Sequence, residues 1–575
     1  MRICRIIVHI ISLLCFVFAQ QAQAQFSINI TQADTALCVG QSIPLNTVVQ
    51  AVSQNSCFYP NFKNIANSNI DGIGSVFVDP NKNVYVSANY SGTLNFGNLI
   101  IPNNGGIDFI LIKMDSCGSI QWVVRGGGMG SNDQIGAKSG KGIAVDNNGN
   151  VYFVANYNST CTIYGSMGLT SYSATYTSGS VVSNQDAALI KLNASGQVIW
   201  GATLNSAAND IMNGVVLDNV GNPICFGLVN SCCPNLISSS AINHTSGNAL
   251  LNLSNDQTGF VFKFNPSGVL QWQSRINNKT ASINSVAVDA ANAIYAVGSC
   301  SSLVPATNTT LVDGLSATST IANIGYGNSF LIKYAVTGAR QWAVHYGNAG
   351  SLTGANCIVN DISIDNLGAV WLVGNYTGAS SIFTGTNATT FALPTDTLTK
   401  SFIAKYTNLG VPLLVNTYAK NNSGNTILTS VAAKNNRVLF GGYYNGNTNG
   451  SNDMCFAISD LSNTISFSNA GGGPYSDVIN GVAWFGNNAA MVGSYSSLFT
   501  INNQLQSNNG AFFYIDNASA TYPVSYAWSS GQTTSSIIAS PVITTKYICT
   551  ATSNGQSVSD SVMINVTTLS PNLII

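Results

Sequence analysis

Charge is scarce in this chain. Only 7% of its 575 residues are charged, against about 25% in ordinary globular domains. The formal net charge is −1, which leaves no electrostatic footprint for nucleic acid or an anionic membrane surface. Histidine is scarcer still: beyond the N-terminal segment there are only His244 and His345, and no CxxC occurs. A zinc site therefore has almost nothing to build on. There is no G-x-S-x-G elbow, no P-loop and no metal-spaced His cluster, so no catalytic residue, metal or cofactor is assigned. Paired carboxylates for glycoside chemistry are defined by a spacing in three dimensions, and the sequence leaves them open.

What replaces charge is Asn, Ser, Thr and Gly over a 45% apolar background rich in Val, Ile, Tyr and Phe. That composition folds, and it favours strands. The first residues, MRICRIIVHIISLLCFVFAQQAQAQ, combine early arginines, an apolar run and Ala22-Gln23-Ala24. They read as a secretory signal peptide, residues 1–24, cleaved after Ala24. The run is too short to span a bilayer, and no transmembrane segment is expected elsewhere. The expected location is secreted, extracellular or cell-surface. Of thirteen cysteines, Cys4 and Cys15 lie in the leader; the remaining eleven are an odd number, so at least one stays free or pairs between molecules.

A repeat organises the rest. Lys113, Lys191, Lys263, Lys333 and Lys405 each precede Trp122, Trp200, Trp272, Trp342 and Leu414 by nine residues, across turns such as KLNASGQVIW and KFNPSGVLQW. Recurrence at about seventy residues marks a stacked array. Each unit opens with an apolar strand, an Asp-containing turn and a second strand, as in GIAVDNNGNVYFVANY (142–157). A variable segment, a third strand such as DAALIKLN (186–193), the tight turn and a Trp-bearing fourth strand follow. Four antiparallel strands per repeat is a propeller blade.

Seven second strands can be counted, from NVYVSANY to AAMVGSY. The seventh unit ends after AFFYIDN (511–517), and the orphan stretch CFYPNFKNIA (57–66) is expected to supply its fourth strand, closing the ring. The turn residues Asp79, Asp146, Asp218, Asp289 and Asp365 occur in the units that carry the third-strand Lys, and both are lost in units six and seven. The joint loss suggests an Asp–Lys tie within a unit, as in Asp146 with Lys191 and Asp218 with Lys263; divergence of the last two units is the alternative. With IAVDNNGNVY, the GG-x-D-x-x-x-x-K stretch at 105–113 and SGQVIW, residues 57–517 resemble the SBBP-type β-propeller repeats of secreted bacterial proteins. Those motifs are fold signatures and imply no ligand.

The tail YPVSYAWSSGQTTSSIIASPVITTKYICTATSNGQSVSDSVMINV places Trp528 on one strand and Tyr547 two residues before Cys549, an immunoglobulin-like pattern. It has too few strands for a sandwich, and FSINITQADTALCVGQSIPLNT (26–47) supplies the missing ones. Head and tail together resemble an Ig-like or PKD-like module of bacterial surface proteins. The expected fold is all-β, a seven-bladed propeller at 51–520 inserted in a sandwich made of 25–50 and 521–575. Cys38 with Cys549 is a possible disulfide.

Turns such as DNNGN lack the alternating oxygen ligands of a calcium loop, and Asp serves turns through its own hydrogen bonds. Trp122, Trp200, Trp272 and Trp342 are expected to pack between units. First-to-second and third-to-fourth turns keep a nearly fixed length, so the variable segments emerge on the opposite face. Asp71, Asp133, Asp210 and Asp477 near that face, with Tyr157, Tyr376, Tyr443 and Tyr495 at second-strand ends, are the candidate ligand-binding residues; turn capping and rim packing are the plainer roles for them. The functional expectation is a non-enzymatic binding or adhesion protein contacting a glycan or an extracellular protein. The alternatives are a polysaccharide-acting enzyme with carboxylates on that face and a surface or matrix scaffold with no discrete ligand.

Overall fold

The computed structural model describes residues 26–567 apart from 52–61, 65–69, 97–98, 117, 129–132, 137, 159, 166–173, 178–183, 206–207, 231–234, 240–245, 251–256, 278–279, 302–308, 314–316, 322–326, 349–355, 379–380, 420–423, 435–436, 446–451, 460–464, 472–475, 486–487, 496–498, 502–503, 507–509, 517–524 and 554–555. The expected leader, residues 1–24, lies outside the described residues. The described chain is all-β, with one short 3₁₀ turn at Lys138–Gly140. It divides into two compact units: Met1–Phe58 with Ser519–Ile575, and Tyr59–Ala518.

In the second unit, seven sheets among the described residues each contain a run of four neighbouring strands, in sequence order in the first six. The second strands are Val84–Tyr90, Val151–Asn158, Pro223–Val229, Ile294–Ser301, Val370–Gly378, Arg437–Asn445 and Asn488–Tyr495, and they number the sheets 1 to 7. In sheet 7 the fourth strand is Phe62–Asn64, paired antiparallel with Gly510–Asp516. The nine-residue Lys-to-Trp offset is cross-strand register: Lys113 faces Trp122, Lys191 faces Trp200, Lys263 faces Trp272 and Lys333 faces Trp342, each next to a one-residue bulge. Gly338 (φ 87°) turns the corner in sheet 4, and a Cβ there would come within 2.6 Å of Trp272 in sheet 3. The turn therefore needs glycine for conformation and for space.

The turn aspartates are consumed locally. Asp146 accepts from the Asn148 and Asn150 amides and from Asn150 Nδ2, each at 2.8–2.9 Å. Asp218 does the same for Val220 and Asn222. Lys263 pairs with Asp218 at 2.9 Å, and Lys333 with Asp289 at 4.0 Å. Lys191 reaches forward instead, to the Pro266 carbonyl in the next sheet's turn at 2.9 Å, where Trp200 Nε1 also donates at 3.1 Å. Burial lowers the Lys191 pKa, and Asp146 opposes that shift.

The variable segments of repeats two to five do not remain loops. Thr160–Tyr164, Asn235–Ser239, Thr309–Asp313 and Ser381–Thr384 each pair with the fourth strand of the preceding sheet and each starts a two-stranded hairpin. The length variation thus covers exposed sheet edges with backbone hydrogen bonds.

Neighbouring sheets are tied through their first strands. Asn213, Asn284, Asn360 and Thr429 sit at one-residue bulges. Their side chains donate to the next sheet at Ile283 O (2.7 Å), Val359 O (2.8 Å), Leu428 O (2.8 Å) and Ile479 O (2.6 Å). Sheet 7 meets sheet 1 where Ala490 and Val492 share a buried cluster with Val76 and Val86. Contacts therefore run from sheet 1 round to sheet 7 and back.

In the first unit, Phe26–Ile30, Ile43–Ala51 and Ser536–Ala539 form one sheet; Thr35–Cys38, Gln556–Thr567, Thr545–Ser553 and Ser525–Trp528 form another. Ile28, Ile30, Leu45, Trp528, Ile537, Tyr547, Cys549, Val562 and Ile564 make one core. A Cys38–Cys549 disulfide does not form: both thiols are free. Cys38 is in register with Thr567 and Cys549 with Asp560 along the same intervening strand. At about 3.3 Å per residue, that stagger keeps the two thiols far apart.

Asn284→Ala removes the donor to the buried Val359 carbonyl and is expected to cost about 1–3 kcal/mol. Leu367→Ser, on an exposed turn tip, should change stability by less than about 0.5 kcal/mol. Urea-unfolding midpoints of the two variants check the contrast.

Candidate functional site

Sheet 2 departs from the others in its first strand. Gln134–Ile135 and Ile143–Val145 both pair with Val151–Asn158, and the intervening turn Lys138–Gly140 is pushed inward, with Ser139 in a left-handed conformation (φ 60°). The segment Ser139–Gly142 touches the first strands of all the other sheets. The Gly142 amide donates to Ser75 Oγ at 2.8 Å, and the Lys141 carbonyl accepts from the Val215 amide at 2.8 Å. Ser139 Oγ donates to Asn360 O at 2.5 Å, and the Ser139 carbonyl accepts from Ser430 Oγ at 3.2 Å. Gly140 abuts the Gly481 Cα so closely that an added Cβ would lie 2.8 Å from it.

Lys141 is the centre of this hub. Its Nζ lies 2.8 Å from Asp361 Oδ1. It also donates to Ser285 Oγ (2.8 Å), Val286 O (3.2 Å) and Ile362 O. Asp361 is fully buried. It accepts in addition from Ser285 Oγ at 2.6 Å, its neighbour Ile362 N at 2.8 Å, Val431 N at 2.7 Å and Ser430 Oγ at 3.2 Å. A buried ion pair repays its desolvation only when the remaining lone pairs are met, and here they are.

Outward from the hub lies a cavity of about 490 Å³. Its walls are first-strand residues, Val76–Val78, Ile143–Val145, Val215–Leu217, Ser363, Val431–Ala433 and Ala483–Trp484, and its floor is Ser139–Lys141. Asn147, Asp218, Asn219 and Gly221 line the mouth, so it opens on the face of the fixed-length turns. A groove along Phe77, Val78, Asp79, Pro80, Lys82, Val145, Asn147, Lys434 and Trp484 adjoins it. The volume falls in the range of small-ligand pockets. The two carboxylates at the mouth, Asp146 and Asp218, are held by their own turns.

The residues singled out from sequence lie elsewhere. Asp133, Asp210 and Asp477 are fully buried, as are Tyr157 and Tyr376; Tyr495 is nearly so and Tyr443 is half-buried. The Asp71 side chain lies outside the described residues. The three aspartates are spread over different junctions, each beside another buried carboxylate of the preceding sheet. The Asp133 amide donates to Ile107 O next to Asp108, and the Asp477 amide to Asn452 O next to Asp453, both at 2.8 Å. Gln185, next to Asp186, donates to Asn209, next to Asp210. Lys141 and Asp361 escaped sequence reading. The available signal was Lys141, the second of two lysines in GAKSGKGIAVD, at the place where other repeats carry Asn, as in Asn213 and Asn284.

Burial raises the pKa of Asp108 and of Asp133 to about 6. The Asn104 amide and Arg125 oppose the shift at Asp108; at Asp133 the Asn158 amide opposes it and the Asp108 charge adds to it. Two adjacent buried carboxylates resist joint ionisation.

No family model matches the chain. It is similar to an uncharacterised WD repeat-containing protein of Acanthamoeba polyphaga mimivirus, 24% identical over 381 residues, covering 59% of this chain and 26% of that protein. The chain thus spans about a quarter of that relative's length. Strand-rich repeats and this distant likeness point to a β-propeller-like repeat protein. Among the described residues no helix is long and apolar enough to cross a membrane.

Lys141→Met leaves Asp361 buried without its cation and is expected to cost about 3–5 kcal/mol, read as a lowered urea midpoint. For Asp108 and Asp133, the folded pKa of about 6 exceeds the ordinary carboxylate value. The folded state then holds more protons between about pH 4 and 6. Their contribution is complete below pH 4 and is lost as pH rises through 6. Urea midpoints across that window should show this fall flattened in Asp133→Asn.

Proposed function

We propose that this chain is a secreted or surface-displayed, non-enzymatic binding protein. Its core is a seven-bladed β-propeller of the SBBP type, carried within an Ig-like module assembled from residues 25–50 and 521–575. Its ligand seat is the central cavity on the face of the fixed-length turns. The observation that carries this reading is the cavity above the Lys141–Asp361 hub. First strands of six of the seven sheets build its walls, and uncharged Asn147 and Asn219 stand at its mouth.

Apolar walls, neutral hydrogen-bonding groups and the half-buried Trp484 ring suit a sugar ring of a glycan better than a charged metabolite. The carboxylates that line the mouth serve their turns, and Lys141 is saturated by Asp361 and three oxygens. This disfavours acid–base chemistry in the cavity.

Glycan-array binding of the full chain tests the reading. Saturable binding to a glycan class is expected, with at least a tenfold loss in Asn147→Trp, whose indole would block the mouth. A bound glycan unaffected by Asn147→Trp moves the seat away from the cavity. The absence of any bound glycan overturns the glycan reading.

A further inference from the structure

Buried aspartates recur where the third strand of one sheet starts beside the first strand of the next. Asp108, Asp186 and Asp453 stand at third-strand starts, opposite Tyr90, Tyr157 and Tyr444. Asp133, Asp210 and Asp477 stand at the first-strand starts that follow them, and all six are buried. At the six junctions from sheets 1–2 to sheets 6–7, the two carboxylates are both present or both missing. The other three junctions carry Thr258 with Ala281, Asn328 with Cys357 and Lys400 with Thr426 in the same register. The aspartates occur as a unit.

At the junction of sheets 1 and 2 each carboxylate has one oxygen held and one bare. Asp108 Oδ2 accepts from the Asn104 amide at 2.5 Å, and Asp133 Oδ1 from the Asn158 amide at 2.9 Å. Asp108 Oδ1 and Asp133 Oδ2 are buried with no hydrogen-bond partner. These two oxygens flank consecutive glycines. A Cβ on Gly127 would lie 1.9 Å from Asp108 Oδ1; one on Gly128 would lie 3.6 Å from Asp133 Oδ2 and 1.7 Å from the Thr160 carbonyl oxygen. Among the described residues no lysine or arginine forms an ion pair with either carboxylate. Arg125 acts on Asp108 from a distance, since its guanidinium donates to Asn104 Oδ1 at 3.0 Å and lies over the Tyr164 ring. Bare carboxylate oxygens out of water are costly unless a positive charge meets them.

The junction of sheets 5 and 6 shows what this place takes. Lys400 faces Tyr376 in the register that Asp108 holds opposite Tyr90. It is 4% exposed, and its Nζ donates to Gly424 O at 3.3 Å. One junction thus buries an ammonium of the chain's own, at the position where three others bury a carboxylate pair. We propose that Asp108 and Asp133 bind a calcium ion between sheets 1 and 2, through Asp108 Oδ1, Asp133 Oδ2 and the Thr160 carbonyl, with water completing the shell. The donors are hard oxygens, which suit calcium. No three His, Cys, Asp or Glu side chains are grouped for a softer metal among the described residues. With two carboxylates the affinity falls at about 10⁻⁴–10⁻³ M, the range of extracellular calcium modules. Neither aspartate lines the central cavity, so this site and the glycan seat stand or fall separately.

The test is a calorimetric titration of calcium chloride into the EDTA-treated full chain at neutral pH. Saturable binding is expected. Asp133→Asn and Asp108→Asn, which keep the shape of the side chain and remove its charge, should each lower the bound calcium by one equivalent. Asp115→Asn, on the exposed turn between the third and fourth strands of sheet 1, should leave it unchanged. In the unsubstituted chain, calcium should slow amide exchange at Gly128 and Thr160 at least tenfold, a readout that holds even if a variant fails to fold. No saturable binding, an undiminished stoichiometry in folded Asp133→Asn and Asp108→Asn, or unchanged exchange at both amides overturns the proposal.

Discussion

The Lys141–Asp361 pair is the constraint on which the second unit depends. A chain with so few charges places one cation and one carboxylate where the first strands of the sheets converge, and it saturates both with hydroxyls and backbone groups. Ionic bonds in such a place are strict about geometry. Ser285, Ile362, Ser430 and Val431 belong to three different sheets, and each must be at hydrogen-bond distance for the buried charge to be tolerated. The hub therefore acts as a registration device: a sheet that slipped would leave an unpaired charge.

Around the hub, stability is passed from neighbour to neighbour. Bulge residues Asn213, Asn284, Asn360 and Thr429 hand one hydrogen bond each to the next first strand, while Trp200 and Lys191 seize the Pro266 carbonyl at the other end of the interface. Repeat arrays owe their stability to such neighbour terms. The outer edges follow the same logic. Hairpins from repeats two to five lie on the sheet before them, which makes the loops of variable length structural members rather than a free recognition surface. The cavity is left on the opposite, uniform face.

The junctions also store charge in a second form. Asp108 and Asp133 are buried side by side, and burial dominates their titration. Amides of Asn104 and Asn158 hold them in place.

Local chemistry made much of the fold legible. The Lys-to-Trp offset is a cross-strand register across a bulged turn, a short-range property. The Asp turns are Asx hydrogen bonds within four residues, and strand alternation needs only a half-buried sheet. The cavity and its floor were illegible for a physical reason. Lys141 and Ile362 stand 221 positions apart, and nothing local in GAKSGKG says which strands it will meet. The aspartates chosen from their shared offset were found at the right strand starts, but burial depends on which sheet packs over them. The sequence by itself determined that this chain makes β-hairpin repeats with glycine-cornered turns, because those rules act over a few residues. Only tertiary packing decided that one turn becomes a central plug and that variable segments become edge covers, because these outcomes depend on which distant strands come together.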